Sequence, residues 1–212
     1  MIIAGIDEAG RGPLIGPMVL ACIVMDNELI KYLDKVGVRD SKILSKNRRK
    51  RLFNIVTRLA TSIYIVKIGV REIDLAVNRI NIDGLNELEA KKVSEIILKL
   101  PESVREIYID SPDKDSMKFK RRIRKYIGDR DIKIICEINA DKKYRIVSAA
   151  SIIAKVIRDD IIDEYKKKYG EIGSGYPSDN RTINFIKNWL KDHEDFPPIV
   201  RKSWKTLEKF LH

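Results

Sequence analysis

The chain has 212 residues, 44% of them hydrophobic and 34% charged, with 42 Lys and Arg against 31 Asp and Glu for a formal net charge of +11. A composition of this kind excludes a disordered tail, and a chain this long buries roughly 70% of its unfolded surface without a disulfide or metal staple. Only two histidines (His193, His212) and two cysteines (Cys22, Cys136) occur, far from one another, which argues against a Cys/His zinc centre and against histidine-based nucleophilic catalysis. The basic excess points to a polyanionic partner. No apolar stretch approaches a membrane span, the start lacks a signal-peptide pattern, and both cysteines sit in strand-like runs. The expected location is therefore the reducing cytoplasm.

In chain order, Ile2–Asp7 reads as a buried strand ending in acid, and Met18–Met25 as its antiparallel neighbour across a glycine- and proline-rich turn. Ser45–Ala60 is predicted helical with Ser45 as cap, and Ser62–Val70 is a β-branched third strand. Leu85–Leu100 carries a helical apolar stripe stopped by Pro101. Glu106–Asp110 is a strand, Ser116–Ile127 a basic helix, and Ile132–Ile138 a further strand. Tyr144–Tyr169 reads as one long helix whose small-sided start, Val147–Ser151, lets it approach a sheet closely. A loop over Gly173–Asp179 and two short helices, near Thr182–Leu190 and Trp204–Leu211, complete the chain. The expected fold class is α/β with a mixed sheet and a helical C-terminal tail.

Acids gather at strand ends on this map. Asp7 and Glu8 close the first strand, Asp110 closes a later one, and Asp141 precedes the long helix. Strand ends of open α/β sheets face a ligand crevice. Converging carboxylates repel one another unless a cation neutralises them, and hard divalent cations take oxygen ligands. Each acid alone is equally compatible with a solvated strand end, so composition and spacing leave both readings open.

The motifs separate them. Asp7-Glu8-Ala9-Gly10-Arg11-Gly12-Pro13 with Gly16-Pro17 resembles the opening signature of the type 2 ribonucleases H, specifically the ribonuclease HII family. The resemblance continues in order through Asp40-Ser41-Lys42, Ile109-Asp110-Ser111, Ala140-Asp141, Tyr144 and Val147–Ser151. It extends to Lys155, Arg158-Asp159, Gly173–Asp179 and the archaeal-type Arg201–Thr206. Two flanking positions depart from the family pattern: Ile138-Asn139 stands where a His-Lys pair is common, and Arg145 where a proline is.

The resemblance implies a ribonuclease H-like fold, a mixed five-stranded sheet flanked by helices, with residues 1–179 as catalytic domain and 180–212 as a packed helical extension. It implies that Asp7, Glu8, Asp110 and Asp141 are the catalytic and metal-binding set, holding Mg²⁺ or Mn²⁺, two ions once substrate is bound. The implied activity is hydrolysis of the RNA strand of RNA–DNA hybrids and cleavage 5′ to single ribonucleotides in duplex DNA, leaving 5′-phosphate and 3′-hydroxyl. Two metals about 4 Å apart suit an in-line displacement that needs no histidine. Gly10, Arg11 and Gly12 resemble the loop that reads the 2′-hydroxyl by close backbone approach. Tyr176 resembles the tyrosine that stacks on the junction sugar. Ser41, Lys42, Lys143 and Ser148 resemble substrate contacts.

Bland readings stand beside these: a tight turn for the glycines, a packing lid for Tyr176, solvated loop or helix-start polarity for the rest. The basic runs Lys46–Arg51 and Lys114–Lys125 are candidates for docking duplex backbone, or solvated helix faces. A monomer is expected. Leu207–Leu211 faintly resembles a sliding-clamp-binding segment, with Trp204 where a glutamine is expected, so a packed terminal helix is preferred. The competing functions are ribonuclease HIII, an integrase or junction resolvase on the same fold, and a hybrid-binding module with idle acids.

Overall fold

The computed structural model describes residues 1–38 and 44–210. Five strands, β1 (Ile2–Ala9), β2 (Met18–Asp26), β3 (Ser62–Ile68), β4 (Val104–Asp110) and β5 (Lys133–Glu137), form one sheet in the order β3-β2-β1-β4-β5. The β1–β2 and β2–β3 pairs are antiparallel, whereas β1–β4 and β4–β5 are parallel, as a mixed sheet requires. β2 is buried at every position but its last. That pattern belongs to a strand covered on both faces, which explains its unbroken apolar run.

Two cores follow from the strand alternation. Ile6, Leu20 and Cys22 face one side, where α4 (Leu85–Lys99) and α5 (Ser116–Ile127) contribute Val93, Ile97, Phe119 and Ile123. Ile3, Ala21 and Ile23 face the other, against α7 (Arg145–Tyr169) with Ile146, Ala149, Ala150 and Ile153. Gly5 of β1 makes this second contact possible: a Cβ there would lie 2.7 Å from the backbone of Ile146. The small-sided start of the long helix does what its sequence predicted.

A third cluster joins Leu14, Ile15, Ile162 and Ile172 to the C-terminal residues Ile186, Phe196, Val200 and Leu207. It carries α8 (Asn180–Asp192) and a closing 3₁₀ turn, Lys205–Phe210, onto the body of the sheet. No helix among the described residues is long and apolar enough to cross a membrane.

Several elements differ from expectation. A 3₁₀ turn (Asn27–Leu29) leads into α1 (Ile30–Val36), and α3 (Val70–Val77) begins where the third strand was expected to end. Both helices span about two turns, too short to print a clear period, and Gly69 marks the strand-to-helix switch. The long helix is preceded by a separate turn, α6 (Ala140–Lys143), because Tyr144 is extended at φ −114°, ψ 120°. The last segment is 3₁₀ in place of the expected α-helix.

The basic run on α2 (Lys46–Leu59) also resolves differently. Lys46, Arg49 and Lys50 pair with Asp163, Asp159 and Asp160 of α7 at 2.5, 2.8 and 3.2 Å. Arg48 donates to the carbonyl of Val36 at 3.0 Å. Three of the five cations in this run therefore join α2 to α7, two of them through pairs at the surface.

Candidate active site

Parallel pairing of β1 with β4 sets the site. The register places Ile6 beside Ile109 as the last parallel pair, so the residues that follow, Asp7 within β1 and Asp110 at the end of β4, come together there. Carboxylate oxygens of Asp7, Glu8 and Asp110 lie within 4.8 Å of one another, a spacing at which one cation can touch all three. The backbone N–H of Glu8 donates to Asp7 Oδ1 at 2.7 Å. The backbone N–H of Ala140 donates to Asp110 Oδ1 at 2.6 Å, which fastens the α6 turn, and with it the buried Asp141, against the sheet edge.

All four acids line one cleft of about 380 Å³, together with Gly10, Arg11, Gly12 and Tyr176. Asp7 is held well above the ordinary carboxylate range, first by burial and then by the charge of Glu8, against the opposing pull of Ser151 and Lys155. Glu8 is raised by burial and then by Asp110, partly offset by its hydrogen bond with Asp7 and by Arg11. Acids destabilised in this way favour a divalent cation as their partner. The donor set is oxygen only, the chemistry of Mg²⁺ and Mn²⁺. The residues present therefore fit the group that the sequence implied.

The glycine loop beside the acids is braced from beneath. Arg201, fully buried, donates from Nε to the Gly16 carbonyl at 2.8 Å, from Nη1 to that of Arg11 at 2.8 Å and from Nη2 to that of Gly10 at 2.5 Å. Its guanidinium also sits 5.0 Å from the Trp204 ring, and Trp204 Nε1 donates to the Gly12 carbonyl at 3.2 Å. Gly10 has no alternative to glycine: its φ is +83°, and a Cβ would fall 2.4 Å from the Arg158 side chain.

Arg11 itself turns to α4, where its guanidinium bonds Glu89 and Asn86.

Tyr176 is 40% exposed, and the Arg158 guanidinium lies 5.2 Å from its ring. Its loop is tied to the glycine region through the Gly175 carbonyl, which accepts from the N–H of Leu14 at 2.7 Å. A buried arginine and a backbone clasp thus hold the exposed ring at the mouth of the cleft.

Two residues expected as substrate contacts are not part of this lining. Lys143 is outside the cleft lining, and its amine pairs with Glu137 at 2.6 Å. Ser148 is fully buried, and its hydroxyl donates to the Asp141 carbonyl, bolting the acid-bearing turn to α7 from below. Helix-start polarity here serves packing. Ser41 and Lys42 lie outside the described residues.

Arg49, Lys155, Arg158 and Asp159 also line the cleft; the sequence places Arg49 in a basic run and the other three in the family resemblance, without a site role. A signal existed: Ser151, Lys155, Arg158 and Asp159 follow the i, i+4, i+7, i+8 pattern of one helix face. Arg201 stands out in the sequence only as part of the Arg201–Thr206 resemblance, and its partners stand about 190 residues earlier.

Comparisons with known proteins bear on the fold and the family. The family profile of ribonuclease HII matches residues 4–207. Ribonuclease HII of Thermofilum pendens is 44% identical over 209 residues, 98% of each chain. The crystal structure of ribonuclease H2 from Pyrococcus horikoshii is 43% identical, covers 100% of this chain and 97% of its own, and superposes with a TM-score of 0.90. The enzyme in the PCNA:RNase HII complex of Archaeoglobus fulgidus is 37% identical, with coverage of 99% and 96% and a TM-score of 0.86. A ribonuclease H-like sheet with acids at its shared edge, matched along nearly the whole chain by relatives of one name, makes this chain a member of the ribonuclease HII family.

Proposed function

We propose that this chain, an endoribonuclease of the ribonuclease H type, cleaves the RNA strand of RNA–DNA hybrids and also cuts 5′ to a single ribonucleotide within duplex DNA. The products would carry a 5′-phosphate and a 3′-hydroxyl. The observation that carries the reading is the contiguity of the acid cluster with a rigid glycine loop, residues 7–12 of one strand end. The carbonyls of Gly10 and Arg11 are taken by Arg201. In planar trans peptides the following N–H groups point the opposite way, which leaves two backbone donors for the 2′-hydroxyl of a ribonucleotide.

In this reading Asp7, Glu8, Asp110 and Asp141 hold Mg²⁺ or Mn²⁺, two ions once substrate is bound. Such ions, when bound, polarise the scissile phosphate and neutralise charge on the entering and leaving oxygens. The protein's own part is positional. The sheet edge fixes the carboxylates, the glycine loop registers the ribonucleotide, and Tyr176 offers a ring face to the neighbouring sugar. Water attacks phosphorus in line, the bond to the 3′ oxygen breaks, and that oxygen leaves as the 3′-hydroxyl after protonation.

The same reading treats residues 1–179 as the catalytic domain and 180–212 as an extension that supplies Arg201. It also holds that the protein works as a cytoplasmic monomer in replication and repair. A sliding clamp is a further proposed partner, supported by the complex of the A. fulgidus relative. Leu207 is buried and Trp204 bonds the glycine loop, so these two residues serve the protein's own packing.

The test is incubation of purified protein with a labelled DNA duplex bearing one ribonucleotide, with Mg²⁺, Mn²⁺ or EDTA. A metal-dependent nick on the 5′ side of the ribonucleotide is expected. Cleavage of an all-RNA/DNA hybrid alone would restrict the activity to hybrids, and cleavage of all-DNA duplex would move the chain to the resolvase class.

A further inference from the structure

Glu89 is a charged residue in an apolar place. It lies on the inner face of α4 between Leu88 and Ala90, and the residue is 1% exposed. A carboxylate in such a position destabilises the fold unless a cation meets it. The cation comes from 78 residues earlier: Arg11 Nη1 bonds Glu89 Oε2, while Nη2 bonds Asn86 Oδ1 one turn back on the same helix.

Both terminal nitrogens of Arg11 are therefore engaged by α4. Asn86 passes the connection on, donating from Nδ2 to Asp113 at 3.0 Å, and Asp113 also receives Arg122 at 2.6 Å. Asp113 follows Asp110 by three residues, so the glycine loop and the chain leaving an acid-bearing strand are fastened to one helix. Arg201 fixes the loop's carbonyls from one side and α4 fixes its only long side chain from the other.

We infer that Glu89 is a positioning residue for substrate discrimination: by holding the Arg11 guanidinium on α4 it aims the Gly10–Gly12 backbone at the 2′-hydroxyl, with Asn86 as the second prong. The inference rests on the proposed reading of the loop. Arg11 acts in it as an anchor, and its charge is not spare for a phosphate. A displacement of the loop by even 1 Å would be expensive, because one oxygen atom separates the two sugars being told apart.

Glu89→Gln tests this with little change of shape. With Ca²⁺ replacing Mg²⁺, fluorescence anisotropy compares binding of a duplex carrying one ribonucleotide with that of the all-DNA duplex. The wild-type protein is expected to prefer the former. In Glu89→Gln the preference collapses towards one, while affinity for all-DNA duplex and the Mn²⁺-induced rise in Tm stay at wild-type values. With Mg²⁺, kcat/KM on the single-ribonucleotide duplex falls by about 10²-fold, the scale of a misplaced reactant. Arg11→Met gives the same loss, and the double variant is no worse than either, because one contact has been removed in all three.

A folded Glu89→Gln protein that keeps the preference overturns the inference. Should that variant fail to fold, Asn86→Ala leaves the ion pair and removes one prong. A partial loss of preference is expected there, and an undiminished preference also overturns the inference. A wild-type protein with neither preference nor cleavage would instead sink the functional reading on which the inference rests.

Discussion

Two of the clustered acids, Asp7 and Glu8, and the glycine loop are one stretch of chain, residues 7–12, yet acids and loop are held in opposite ways. The acids are gathered by sheet register, and their own interactions oppose the arrangement, since burial and mutual repulsion push both Asp7 and Glu8 up. The loop has no regular structure, yet Arg201 occupies two of its carbonyls, Trp204 a third, and α4 its side chain. In the proposed reading, electrostatic strain sits where a cation enters, and rigidity sits where a single hydroxyl is read. Functional sites that need preorganised contacts are built on this division.

The largest expected effect falls on the acids. Asp7→Asn keeps the acceptor for the Glu8 N–H and removes one charge. Cleavage should drop by about 10³-fold, the scale seen when a charge-stabilising group is lost from an active site. Substrate binding should persist, because the loop is untouched. In EDTA the same variant should melt higher by about 2–4 °C, the shift that ~1 kcal/mol produces in a chain of this size. A variant with normal turnover, or with a lowered Tm, would break the comparison at its first half.

Arg201→Met probes the second half. It leaves the Gly10, Arg11 and Gly16 carbonyls without their donor, at a cost of about 3 kcal/mol, with a fall in Tm of roughly 6–12 °C. Cleavage should fall with it, in contrast to Asp7→Asn, where stability and activity move apart. Thermal melts and kcat/KM on the same preparations would show whether the two regions separate in this way.

The two regions were also unequally legible. Acids at strand ends can be read from a sequence, because strand, acid and break are all local, but the parallel pairing that brings Asp7 to Asp110 joins strands far apart in the chain and leaves no local sign. The loop's supports are not local. Glu89 looks like one more polar residue on an amphipathic helix, and Arg201 like part of a basic tail. Nothing near either says that its partner stands 78 or about 190 residues away. Ser148 is the converse case, where the family resemblance suggests a substrate contact and the structure shows a buried hydroxyl bonded to the Asp141 carbonyl. The α2 run Lys46–Arg51, open to either docking or a solvated face from its sequence, gives no local sign of the α7 acids opposite it.

A pH titration sharpens the electrostatic half. Carboxylates whose folded pKa is raised bind more protons in the native state than in the unfolded state, so their contribution to stability falls as pH rises. In EDTA, Tm should therefore decline from the ordinary carboxylate range, about pH 4, upward through the raised values of Asp7 and Glu8. The slope is about 1.4 kcal/mol per pH unit for each proton involved. Asp179, held below its ordinary value by Arg181, has the opposite sign and loses its contribution only at more acid pH. Mn²⁺ should flatten the decline, and so should Asp7→Asn. A Tm that rises with pH in this window in EDTA would place the strain elsewhere.

The smallest effect on stability is the most discriminating for the loop. Gly12 lines the cleft, its φ is not in the left-handed region, and a Cβ built on it meets nothing within 4 Å. Gly12→Ala should therefore leave the fold intact or stabilise it by about 0.4–1 kcal/mol, through the reduced freedom of the unfolded chain. The same methyl group would stand in the cleft wall where the substrate backbone must approach. Cleavage at a single ribonucleotide should then fall although the protein is, if anything, more stable. Gly10→Ala cannot make this distinction, because its Cβ would collide with Arg158 and with the carbonyl of Pro17, so activity and fold would be lost together. A Gly12→Ala protein with unchanged kcat/KM would mean that the substrate does not touch the loop at this residue. Close approach would then be confined to Gly10 and Arg11, whose carbonyls Arg201 holds.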